Sequence, residues 1–135
     1  MQWQFHADAP IYAQLVEGIT RRIVAGIYPP GSRLPSVRDL AMEAGVNPNT
    51  MQRALGELER SALVYAQRTS GRFVTEQVER IEAAKQDIAS RQMKTFLRSM
   101  EELGYGIEDI LALIRSAGED RGPAGAQRLR QDYAH

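Results

Sequence analysis

The chain has no cysteine among its 135 residues, which removes disulfide frameworks, thiolate metal sites and cysteine nucleophiles. Histidine is almost as scarce: His6 and His135 stand at opposite ends, away from any other cluster of ligand type. No HExxH, GxSxG, GxxxxGK(S/T) or strand-linked GxGxxG occurs, so the common catalytic and phosphate-binding frames are missing. The carboxylate pairs Glu101-Glu102 and Glu108-Asp109 lie at predicted helix ends, where Glu108 and Asp109 suit the positive end of a helix better than they suit catalysis. The expectation is no enzyme, no cofactor and no metal. No apolar run approaches the roughly 18 residues of a membrane span. The opening MQWQFHADAP lacks the basic-then-apolar order of a signal peptide, so a cytoplasmic protein without a membrane partner is expected. Excess charge is missing too, since 17 Lys plus Arg balance 17 Asp plus Glu. Within residues 1–76, eight Arg and no Lys stand against seven acidic residues, a net of +1.

What is present is an ordinary globular composition, 43% hydrophobic and 25% charged, in a chain long enough for one compact domain and an appendage. A first helix is expected over Asp8–Ala25: Asp8 is a candidate cap, Pro10 suits the first turn, and Leu15, Ile19 and Ile23 recur at helical spacing. Gly26 and Pro29-Pro30-Gly31 end it. A second helix follows Pro35, capped by Ser36 with Asp39 three residues on, and stops at Gly45. The third begins almost at once, with Asn47 as cap and Pro48 at the first helical position, where a missing N–H costs nothing. Val64–Gln67 and Arg72–Thr75 read as two strands about a turn at Thr69-Ser70-Gly71. From Glu76 onward Val78, Ile81, Ala84, Ile88, Phe96, Met100 and Leu103 predict one helix of roughly 25 residues. After Gly104, Ile107, Ile110, Leu111 and Ile114 predict a short last helix ending at Gly118.

The third helix carries the functional signal. Met51, Ala54, Leu55 and Leu58 form its inward stripe, which leaves Asn49, Arg53, Gly56 and Arg60 on the opposite face, flanked by Gln52 and Glu57. Two short helices about a tight turn, followed by a polar hairpin, is the order in which a winged helix-turn-helix offers one helix to the major groove of DNA. That groove admits one α-helix and displays distinct base edges. Arg53 suits guanine, and Gln52 or Asn49 suits adenine; Gly56 would let the backbone approach closely. Thr50 lies at the helix N-terminus, where free N–H groups favour phosphate. Arg38 is placed to reach the backbone beside the groove, and Ser70, Gly71 and Arg72 to reach the minor groove or its phosphates. Each has a plain structural alternative: Arg53 paired with Glu57, Arg38 with Asp39 or Glu43, Asn47 as a simple cap, the hairpin tip as a solvated turn. With so little net charge, DNA affinity must come from placement.

Residues 10–75 resemble the DNA-binding domain of GntR-type bacterial transcription regulators. The matching pieces are Pro10-Ile11-Tyr12 with Gln14-Leu15, Pro30-Gly31 with Leu34-Pro35-Ser36, and Arg38-Asp39-Leu40-Ala41. Gly45-Val46-Asn47-Pro48-Asn49-Thr50, Ala54-Leu55, Leu58-Glu59 and Gly71-Arg72-Phe73-Val74 complete the set. The VNPNT version, with a two-helix remainder, resembles the short YtrA-like subfamily. The resemblance implies DNA contacts at Arg38, Asn49, Thr50, Gln52 and the Ser70-Gly71 wing. Pro48 stands where many relatives carry a reading Arg, so their operators should not transfer. Ala62 replaces a frequent helix-ending Gly, and a left-handed Ala there would cost about 1 kcal/mol, so the turn is expected to differ locally.

The long helix, with Ile81, Ile88, Phe96 and Met100 on one face, cannot bury that face alone, and the short last helix covers only part of it. Ile81, Ile88, Phe96, Met100, Ile110 and Ile114 are therefore expected to form a homodimer contact, which the resemblance also implies for YtrA-like proteins. The expected architecture is mainly α with a small β-hairpin. A winged helix-turn-helix domain would span residues 1–76, a short two-helix dimerisation or effector region 77–118, and a flexible or peripheral tail 119–135. The expected function is sequence-specific regulation of transcription by a homodimeric repressor on a palindromic double-stranded DNA operator. A winged-helix protein-interaction module is the alternative. A small-molecule effector is compatible with this, but no convergent polar cluster names one.

Overall fold

The computed structural model describes residues 2–121. Five helices and one hairpin follow in order: α1 Ile11–Val24, α2 Val37–Ala44, α3 Pro48–Arg60, β1 Val64–Gln67, β2 Gly71–Val74, α4 Val78–Glu102 and α5 Ile107–Arg121. The fold is mainly helical with one two-stranded antiparallel sheet.

Helix α1 starts later than expected, with Pro10 as its N-cap and no side-chain cap. Asp8 does not cap it; its backbone N–H donates to His6 Nδ1 at 3.3 Å. The reason is Pro10 itself, whose ring crowds the preceding residue out of the helical region. Gln14 ties the preceding arm down instead, donating to the carbonyls of His6 and Ala9, both at 2.8 Å. Trp3 lies across α1 with the Arg22 guanidinium 3.6 Å from its ring centroid. A Cβ at Gly18 would collide with that ring.

The core is continuous. Leu15, Ile19 and Ile23 of α1 meet Leu40 and Ala41 of α2 and Met51, Ala54, Leu55 and Leu58 of α3. Leu34, Leu63, Val64 and Val74 close it beneath the hairpin. Each fully buried Leu or Met contributes about 1.5–3 kcal/mol. Strand β2 begins at Gly71, paired with Gln67, one residue earlier than expected. The loop ahead of α2 adds a third edge: Arg33 bridges Phe73, the Leu34 N–H donates to the Arg72 carbonyl at 2.8 Å and the Val74 N–H to the Ser32 carbonyl at 2.9 Å.

Helix α4 runs for the expected 25 residues. Its first half is anchored: Ile81 and Ala84 pack on the core, Ile88 is buried, and Arg91 reaches Glu17 of α1 at 3.4 Å. Beyond that, Met93, Phe96, Leu103, Ile107, Leu111, Leu113 and Ile114 are exposed. Gly104, at φ 94°, turns the chain between α4 and α5. Helix α5 passes through Gly118 to Arg121 rather than stopping there, since an interior glycine costs only about 1 kcal/mol when it keeps helical geometry. The rest of the expected tail, residues 122–135, lies outside the described residues.

Candidate nucleic-acid interface

The turn between α2 and α3 is built by local chemistry. Ser36 Oγ accepts from the Asp39 N–H at 3.1 Å and starts α2. Gly45, at φ 69°, ends it in the left-handed conformation, and the Val46 N–H returns to the Ala41 carbonyl at 3.0 Å. Asn47 Oδ1 accepts from the Asn49 N–H at 2.8 Å, which occupies one of the free donors at the start of α3. The cap at Asn47 is therefore formed, and Pro48 occupies the start of the helix as expected.

With Met51, Ala54, Leu55 and Leu58 all buried, α3 is held by one stripe and its other side is bare. Asn49, Gln52 and Arg53 are exposed, Thr50 and Gly56 half-buried. Arg38 is exposed on α2, and its suggested pairing with Asp39 or Glu43 is not formed. Glu57 takes Arg60 as its partner, at 2.7 Å. Arg53 therefore makes no ion pair with Glu57; its guanidinium stacks on α1, 3.6 Å from the ring centroid of Tyr12.

At the hairpin tip Arg68, Thr69, Ser70 and Gly71 are exposed. Gly71 adopts φ 99°, and a Cβ there would come within 3.1 Å of Arg33 Nε, so the wing needs glycine for conformation and for space. Arg72 is drawn inward, with Nε 2.5 Å from Glu59 Oε1. That pair ties β2 to the last turn of α3, and the Tyr65–Phe73 stack, centroids 5.7 Å apart, stiffens the hairpin. The exposed candidates are thus Arg38 on α2, Asn49, Gln52 and Arg53 on α3, and Ser70 and Gly71 at the wing tip. Arg72 serves as the brace between the wing and α3. Tyr12, Arg33 and Glu59 were not among the expected contact residues, because each acts through a neighbour distant in sequence.

The residues expected at a dimer contact divide. Ile81 and Ile88 are engaged inside the chain, and Ile110 is 1% exposed. Ile88 and Ile110 are thus buried within the chain and Ile81 partly so, the first half of α4 being packed on α1 and the core. Phe96, at 39%, and Ile114, at 43%, remain open, with Met100 half-buried beside them. Among the described residues, no helix is long and apolar enough to cross a membrane.

The sequence model for bacterial regulatory proteins of the gntR family matches residues 11–74, from the start of α1 to the end of β2. The uncharacterised HTH-type transcriptional regulator YhcF of Bacillus subtilis is 37% identical over 119 residues, covering 88% of this chain and 98% of the relative. The HTH-type transcriptional repressor YtrA of the same organism is 30% identical, covering 84% of this chain and 88% of the relative. Among solved structures, a GntR family transcriptional regulator from Listeria monocytogenes superposes with a TM-score of 0.76 at 41% identity, covering 83% of this chain and 98% of that one.

Proposed function

The chain belongs to the GntR family of bacterial regulatory proteins, and from that premise we propose that it acts as a homodimeric repressor on a palindromic operator. It is a transcriptional regulator with a winged-helix DNA-binding domain, similar over most of its length to YhcF and YtrA. Residues 1–76 form the reading head in this proposal and residues 77–118 the dimerisation region. Repression is supported by the likeness to YtrA, which is named a repressor.

The observation that carries the proposal is the bare side of α3. A helix held by one buried stripe, capped at Asn47 and braced through Glu59–Arg72, offers Asn49 and Gln52 as base readers. Thr50 at the helix start and Arg38 beside it suit phosphate, and Ser70 and Gly71 suit the flanking minor groove. Two-fold pairing supports the palindrome, because a symmetric dimer places two such heads on two half-sites.

The test is an electrophoretic shift with duplexes from the chain's own upstream region and with scrambled duplexes. A salt-sensitive, sequence-selective complex is expected. Gln52→Ala should weaken the selective complex by about 1–3 kcal/mol and relax preference at one base pair per half-site, with the fold unchanged. Equal affinity for all duplexes, or none, would favour a winged-helix module that binds a protein partner.

A further inference from the structure

Arg53 does not project freely from α3. Its guanidinium lies 3.6 Å from the Tyr12 ring centroid, and Tyr12 is the second residue of α1, a half-buried side chain at the helix start. Glu57, one turn on from Arg53, borders the cleft under α1 together with Tyr12. The Arg53–Glu57 edge of α3 therefore turns toward α1, while Asn49 and Gln52 face away from the core. On a helix laid in the major groove, an arginine at that edge would meet the rim, where phosphates lie, rather than the floor.

Stacking on a ring engages the face of the guanidinium and leaves the N–H groups along its edge free to donate. Glu57, the one carboxylate within reach along the helix, is already held by Arg60 at 2.7 Å. Arg53 is thus ordered but not neutralised, the state in which a phosphate contact costs least. Building on the DNA-reading role of α3, we propose that Arg53 clamps the operator backbone at the groove edge and that Tyr12 is the positioning residue that holds it there. Two parts of the chain forty-one positions apart then make one phosphate grip. The grip sets affinity without choosing sequence.

The test uses the full chain and a duplex selected by it from a random pool, with a scrambled duplex as control, in fluorescence anisotropy titrations across salt. If the wild-type chain enriches no duplex, the DNA-reading function itself fails. Given an enriched duplex, Arg53→Ala should weaken both duplexes by the same factor and make the log affinity against log salt slope shallower by about one per head. Tyr12→Phe, which keeps the ring, should match wild type. Tyr12→Leu should lose about two- to fivefold on both duplexes, and nothing further in an Arg53→Ala background. The inference is overturned if Arg53→Ala weakens only the selected duplex, which would make Arg53 a base reader. It is overturned as well if Tyr12→Leu costs the same with and without Arg53, or if Tyr12→Phe loses as much as Tyr12→Leu. The first would mean Tyr12 acts through packing alone, the second that its hydroxyl makes the contact.

Discussion

Single residues set the geometry where the reading helix ends. Ala62 adopts φ 63°, with its N–H bonded to the Glu59 carbonyl at 3.0 Å and the Leu63 N–H to the Leu58 carbonyl at 3.1 Å. This is the paired-bond helix stop usually built on glycine, so the local departure expected from the missing glycine does not occur: the turn is kept and its strain accepted. Left-handed alanine costs about 1–2 kcal/mol in the folded state, partly offset by the larger unfolded entropy of glycine. Ala62→Gly should therefore raise stability by about 0.5–1 kcal/mol, read as a higher urea midpoint at unchanged slope. An unchanged or lower midpoint would mean the methyl group packs usefully. The value of the site is positional: Leu63 and Val64 are buried directly after it, so this turn aims the hairpin back along α3. Glu59 then meets Arg72 across the gap.

At the scale of elements, α1 is the part that organises the reading head. It buries Leu15, Ile19 and Ile23 against α3 and α4, holds Arg53 through Tyr12, and is itself strapped by the arm of residues 2–9. In that arm the Trp3 ring stacks with Phe5, centroids 6.1 Å apart, and covers Arg22. Arg22 Nη1 also donates to the Gly18 carbonyl at 2.9 Å, and burial lowers the Arg22 pKa from its usual value. Trp3→Ala would strip that cover and leave a cleft along Gly18. A cost of about 2 kcal/mol is expected, measured by urea unfolding followed by circular dichroism because the chain has a single Trp. A loss below the measurement error would show the arm to be peripheral. The helices themselves were largely legible beforehand: Ser36, Gly45, Asn47 and Pro48 are local signals acting within four residues of where they stand, and the structure uses each as expected. The start of α1 was not, because a candidate cap at Asp8 is overruled by the backbone limits that Pro10 imposes.

At the scale of the whole molecule, the proposed pairing of two reading heads rests on the apolar surface of the C-terminal helices. The apolar surface left on the far half of α4 and on α5, with Phe96, Leu111, Leu113 and Ile114 exposed, is the surface a second copy would cover. Ile88 and Ile110 are excluded from that role by their burial within the chain. A double substitution Phe96→Asp and Ile114→Asp should yield monomers in sedimentation at micromolar concentration while leaving the melting of the reading head unchanged. It should also weaken binding to a two-half-site duplex far more than to a single half-site. A dimer that survives would place the contact elsewhere. Substituting Ile88 would instead unseat α4 from α1 and confuse assembly with folding.

The sequence by itself determined the elements, the buried stripe of α3 and the outward set Asn49, Gln52 and Arg38, because helix caps, period and turn chemistry act over a few residues. Only the tertiary structure decided which arginines are free. Arg72 is spent bracing the wing, Arg53 is laid on Tyr12, and Arg33 lies beside Gly71. It also decided which apolar residues of α4 and α5 are covered within the chain and which stay exposed. Those outcomes depend on which side chains from distant segments meet, and a long flexible arginine has several candidate partners until the fold brings one within reach.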